Sequence, residues 1–136
     1  MGFIRNECLV VTGRIENIEI AHAECRRIFE KEELNYEHPV FGTIQSLVSE
    51  IIPGMVNRCA TFMIAVDGSK EGWHESDVVE NGRNAFINWL KNQDVDYDWA
   101  LVLLGGDDHL CKILASSRGE EATDTAQYNC ENRETE

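Results

Sequence analysis

Basic residues are scarce in this 136-residue chain. Only 12 Lys and Arg stand against 25 Asp and Glu, for a formal charge of −13 at pH 7. A protein this acidic repels phosphate backbones and anionic headgroups, so direct binding to nucleic acid or to a membrane surface is not expected. No apolar run approaches the roughly 18–20 residues of a membrane span. Met1-Gly2-Phe3-Ile4-Arg5 also lacks the charged start and long apolar stretch of a secretory signal, and the expectation is a soluble cytoplasmic protein. The five cysteines Cys8, Cys25, Cys59, Cys111 and Cys130 are odd in number and contain no C-x-x-C pair, which argues against a disulfide framework. Cys8, Cys59 and Cys111 fall in apolar runs and Cys25 on a helix face, as free thiols acting as small hydrophobes do. The phosphate loop G-x-x-x-x-G-K-[ST], the dinucleotide fingerprint G-x-G-x-x-G and the nucleophile elbow G-x-S-x-G are all missing.

What is present is enough apolar material for one core. Phe, Ile, Leu and Val make up about a quarter of the chain, above the range in which a highly charged chain stays unfolded. Glu7 to Thr12 reads as a strand ending at Gly13. From an N-cap at Asn17, the steps Ile18, Ala21, Cys25, Ile28 and Phe29 mark an amphipathic helix to about Glu33, with Asn35 as a stop. Residues 40–56 fit two patterns. Val40, Phe41, Ile44, Leu47, Val48, Ile51 and Ile52 share one helical face, yet the β-branched content and the turn residues Asn57-Arg58 favour a strand over 46–56 hairpinned to Cys59–Val66. Asp77 and Glu80 form a capping-box signature for a second helix to about Asn92. Trp99–Leu104 and Leu110–Ala115 read as strands joined through Gly105-Gly106-Asp107-Asp108.

The order predicts an α+β protein, a ferredoxin-like βαββαβ arrangement with an extra C-terminal strand. Its antiparallel sheet would carry both helices on one face. Residues 1–118 form the expected single domain and residues 119–136 an acidic disordered tail. In that arrangement Ala60, Phe62, Ile64 and Val66 face the helices. Cys59, Thr61, Met63 and Ala65, with Leu101 and Leu103 or their neighbours, line an open apolar face suited to self-association or to another partner.

Candidate chemistry is thin. Asp94-x-Asp96-x-Asp98 resembles the start of a calcium loop, but Trp99 stands where Gly is needed and Gly105 where Glu is needed. His22 with Cys25 and His109 with Cys111 supply zinc-type donors at spacings that match no common template. Asp107-Asp108 suits a cation or simply a polar hairpin tip. The expectation is a non-catalytic protein without metal or cofactor.

The most distinctive segment runs from Asp67 through Gly68, Ser69, Lys70, Glu71, Gly72, Trp73, His74, Glu75 and Ser76 to Asp77. It joins a strand end to a helix start, with two glycines for sharp turns and a Trp that either folds back over the helix or forms a recognition contact. This D-G-S-K-E-G-W loop, followed by S-D and a helix ending in W-L, resembles a pattern in small acidic proteins encoded by bacteriophages and prophages, over residues 55–104. The resemblance implies a phage accessory protein in a bacterial cytoplasm. By analogy with small acidic phage inhibitors, it implies a protein that blocks a host nucleic-acid-handling or defence enzyme by imitating nucleic-acid charge.

Charge is uneven along the chain: 9 acids against 6 bases over 1–66, 10 against 5 over 67–118, and 6 against 1 over 119–136. It serves either general solubility or steering onto a basic surface of a host or self partner protein. The candidate contacts are Asp67, Lys70, Glu71, Trp73, Glu75, Asp77, Asp94, Asp96 and Asp98, and a homodimer through the open sheet face is a further expectation. A small metal-dependent enzyme, a small-molecule-binding domain and a structural virion component are the alternatives.

Overall fold

A computed structural model describes residues 3–31, 44–107 and 109–119. The central element is β1 (Arg5–Arg14), in which Leu9 and Val11 are fully buried while Val10 and Thr12 are half-buried. That alternation is the signature of a strand covered more heavily on one face. Helix α1 (Ile15–Lys31) follows without a loop, its first amide donating to the carbonyl of Arg58 at 2.7 Å. It begins two residues before the expected cap at Asn17, because a partner across the sheet satisfies the amide that a side-chain cap would otherwise serve. The buried positions of α1 are Ile18, Ala21, Cys25, Ile28 and Phe29, the stripe its periodicity predicts. The expected stop at Asn35 lies outside the described residues, as does residue range 40–43.

The remainder of the ambiguous stretch is neither a full helix nor a full strand. Ile44–Leu47 is a short 3-10 turn, Val48 makes a single bridge to Ile64, and β2 is only Ile52–Pro53. The segment still runs antiparallel along β3 (Cys59–Ile64): Ser49 donates to Met63 and Gly54 to Cys59. Proline has no amide to donate, which keeps this edge pairing short. Asn57 and Arg58 both take positive φ, so the tight reversal expected there is present.

Helix α2 (His74–Lys91) starts three residues before the expected capping box. Trp73 occupies the cap position with extended backbone and no side-chain cap bond, and Asp77 donates its amide to the carbonyl of Trp73 inside the first turn. Gly82 lets the two helices approach closely: a Cβ there would sit 3.0 Å from the Phe29 ring. β4 (Asp98–Gly106) and β5 (Cys111–Ser116) complete an antiparallel five-stranded sheet of order β2-β3-β1-β4-β5. The described residues thus form an α+β protein with two helices. The tail expected at 119–136 lies outside them except for Gly119.

One core cluster joins α1, α2 and the sheet positions Leu9, Val11, Ala60, Phe62, Ile64 and Trp99. Phe62 lies at its centre, with the His22 ring edge-on at 5.0 Å and Phe86 at 5.9 Å. Leu101 packs against this cluster and Leu103 is fully buried. The register pairs them with Leu9 and Glu7, so their neighbours Ala100, Val102 and Leu104, not they, belong to the sheet face turned away from this cluster.

Burial in this core pushes the Cys25 thiol up to about 12 from 9.0. The folded state therefore disfavours the thiolate. The Cys25 contribution to stability is intact below pH 9, where both states hold the proton, and is lost as the pH rises from there toward about 12. Below pH 9, a thiol reagent should label exposed Cys59 and Cys111 quickly and leave buried Cys8 and Cys25 untouched until the chain unfolds. Labelling sites mapped by mass spectrometry check this; fast modification of Cys25 in the folded protein would contradict it.

Candidate functional site

The loop between β3 and α2 is tied to the sheet at several points. Lys70 bridges Ile4, and Glu71 donates its amide to the carbonyl of Phe3 at 2.9 Å. The Glu71 carboxylate lies 3.7 Å from the Arg5 guanidinium. Gly68 and Gly72 take positive φ, giving the loop its two reversals, and Ser69 donates its hydroxyl to the Asp67 carboxylate. This frame holds Trp73 at the mouth of α2 with 46% of its surface exposed. The Lys70 ammonium sits 5.8 Å from the centre of the indole, a cation–π contact.

The loop and helix start that carry the indole also bear exposed Glu71 and Asp77, with half-buried Asp67 and Glu75. Glu75 and Asp77 lie in the first turn of α2, where the helix dipole favours negative charge. Asp107 adds a carboxylate at the same end of the sheet, accepting the Ile4 amide at 2.9 Å. Arg5 also lies 4.0 Å from the Glu7 carboxylate, which buried Arg83 of α2 meets at 3.7 Å, so a chain of ion pairs links Glu71 through β1 to α2. The loop therefore rests on a charged base as well as a backbone one.

The predicted contacts divide into two groups. Asp67, Lys70, Glu71, Trp73, Glu75 and Asp77 gather at the start of α2. Asp94, Asp96 and Asp98 follow its end, and an 18-residue helix sets the two groups about 27 Å apart. Asp98 faces Arg118 at 3.2 Å. Asp96 borders a cleft of about 250 Å³ with Lys91, Tyr97, Trp99, Ser116 and Ser117. Burial raises the Tyr97 phenol, whose hydroxyl donates to the carbonyl of Asn17 at 3.1 Å. Asp107 and Phe3, which is 38% exposed, join the Trp73 end although sequence spacing singled out neither as a contact. The only sequence signal for Asp107 was its place beside Gly105-Gly106.

The metal-type residues are held in other ways. The His22 ring donates from Nε2 to the Ser49 carbonyl at 2.8 Å, Cys25 is buried in the core, and His109 lies at the β4–β5 tip with positive φ. Among the described residues no group of three or more His, Cys, Asp or Glu is arranged to hold a metal ion. Among them, too, no helix is long and apolar enough to cross a membrane. The chain matches no protein-family model, and searches of curated proteins and of solved structures return no match either.

Proposed function

We propose that this chain is a non-catalytic phage or prophage accessory protein of the bacterial cytoplasm that docks on a basic surface of a partner protein. Its docking end is the anchored loop carrying Trp73. A host enzyme that handles nucleic acid, such as a defence nuclease, fits that description, because its basic surface normally accepts phosphates and would accept this carboxylate-rich end in their place. The observation carrying the reading is an indole 46% exposed on a braced loop and helix start that also carry Asp67, Glu71, Glu75 and Asp77. Trp is favoured at the centre of protein interfaces, where its ring supplies a large contact area.

We read the fold as ferredoxin-like. Supporting this are the strand order β2-β3-β1-β4, the helices that follow β1 and β3, and a common core cluster containing both helices. The extra strand β5 then extends the sheet beside β4. The small-molecule reading has the cleft beside Tyr97 in its favour, but at about 250 Å³ it falls below the roughly 300–1,000 Å³ usual for ligand pockets.

Immobilised full-length chain should retain a nucleic-acid-handling protein from bacterial lysate at low salt and release it at high salt. With that protein purified, Trp73→Ala should weaken binding by about 30-fold, the loss typical of a hot-spot aromatic. Asp96→Asn, at the far end of α2, should leave the affinity nearly unchanged. Empty capture at low salt, salt-independent affinity, or full affinity in Trp73→Ala would each overturn the proposal.

A further inference from the structure

From the sheet face turned away from the core cluster we infer a second interaction surface, and its occupant is another copy of this chain. Contacts across the strands identify the face. The hydroxyls of Thr12 and Thr61 meet at 3.0 Å, and the sulfurs of Cys8 and Met63 lie 4.0 Å apart. The register then places Val10, Met63, Ala100, Val102 and Ile113 on the same side. All five are half-buried. The apolar surface continues outward at both edges: Ile52, paired with Thr61, is 57% exposed, and Leu104, paired with Cys111, is 50% exposed. Beyond Ile52 the hairpin tip offers Val56 at 69% and Met55 at 100% exposure.

Charge identifies the occupant. Among the described strand residues the face carries charged side chains only toward one end, where Arg14 pairs with Cys59 and Asp98 with Thr12. A basic partner finds no counter-charge in its centre. A second copy carries the same −13, and this neutral face is a surface through which two such copies can meet without pressing carboxylates together. Both signs at the end of the face also suit a two-fold arrangement, in which each patch meets itself.

Area agrees. Four strands about 4.8 Å apart over roughly six residues of 3.3 Å rise, with the two-residue β2 at their edge, outline about 410 Å² per copy, so a face-to-face pair covers about 820 Å² before the hairpin tips are added. Exposed Ile52, Met55 and Val56 at the hairpin extend the patch toward the roughly 1,000 Å² of a specific interface. An apolar patch of several hundred Å² is of the size that often marks an interaction site.

Sedimentation equilibrium of the full chain from micromolar to millimolar concentration tests the inference. A closed dimer is expected, and raising salt should tighten it several-fold by screening the repulsion between the two acidic bodies. That is the opposite of the salt response of the Trp73 partner, so one reading can fail while the other stands. Met63→Glu should weaken the dimer by about 100-fold, since it places like charges opposite each other at the centre. Ile52→Glu, at an exposed position that tolerates charge in the folded monomer, should weaken it by about 10-fold. Trp73→Ala should leave the dimer unchanged. A chain that stays monomeric at high salt, open-ended assembly in place of a dimer, or an Ile52→Glu variant that dimerises as tightly as the wild type would overturn the inference.

Discussion

Replacing Phe62 with Ala is expected to lower the unfolding free energy of the chain by about 3–5 kcal/mol. Phe62 is fully buried on β3, where His22 of α1 and Phe86 of α2 both reach its ring. Phe86 in turn stacks on Trp89, which meets Tyr97 at 5.9 Å, so the ring begins an aromatic chain running to the far end of α2. Truncation loses both the transfer energy of the ring and the contacts of its lining, because three separate elements cannot all collapse into the gap. Domains of this size have about 5–15 kcal/mol in total, so the variant should sit near the edge of folding. Phe62→Leu, which keeps most of the volume, should cost less than half as much. Urea denaturation followed by tryptophan fluorescence measures both. A loss under about 1 kcal/mol for Phe62→Ala would show that the site is not the centre of the core.

Gly106→Ala is the second large effect, at about 2–4 kcal/mol. Gly106 has φ +94, and a Cβ on it would lie 2.3 Å from the backbone oxygen of Ile4, an atom that cannot swing aside as a side-chain end can. The displacement would reach the Trp73 loop, because Ile4 bridges Lys70 and the next contact along is Glu71 to Phe3. Gly105→Ala is the control. It shares the positive φ, at +81, but has open space around the added carbon, so only the backbone penalty of about 1–2 kcal/mol applies. Hydrogen exchange at the Glu71 amide should accelerate in Gly106→Ala more than in Gly105→Ala. Equal stability in the two variants, with unchanged exchange at Glu71, would separate the loop from this end of the sheet.

Much of the architecture is legible in local patterns. The burial stripe of α1 follows from steps of three and four residues, and the alternation Ala60, Phe62, Ile64 against Thr61 and Met63 follows from a period of two. Both periods are properties of a single segment. Residues 44–56 resisted this reading because their apolar positions satisfy the helical and the extended pattern at once, and pairing with β3 chose an irregular course that neither period describes. The start of α2 was misplaced for a related reason. A capping-box spacing marks one way to satisfy helix amides, and here the helix begins at His74 without a side-chain cap. The faces of Leu101 and Leu103 depended on register with β1, which a strand viewed alone does not contain.

For the candidate site, the residue types of the 67–77 loop stood out from their neighbours before any fold was considered. Their grouping did not. The acids read as one set of contacts fall at opposite ends of α2, while Asp107 reaches the Trp73 end from a distant hairpin through the pairing of β4 with β1. By itself the sequence determined the acidity of the chain, the apolar stripe of α1, the strands β1, β3, β4 and β5, and an unusual Trp-bearing loop, since each rests on composition or on contacts within a few residues. Only the tertiary structure decided that the indole is partly exposed, that the predicted carboxylates divide into two groups, and that, among the described strand residues, one sheet face has charge only toward one end. Those outcomes depend on which strands pair and how far a helix carries the chain, and both are settled by packing between residues remote in sequence.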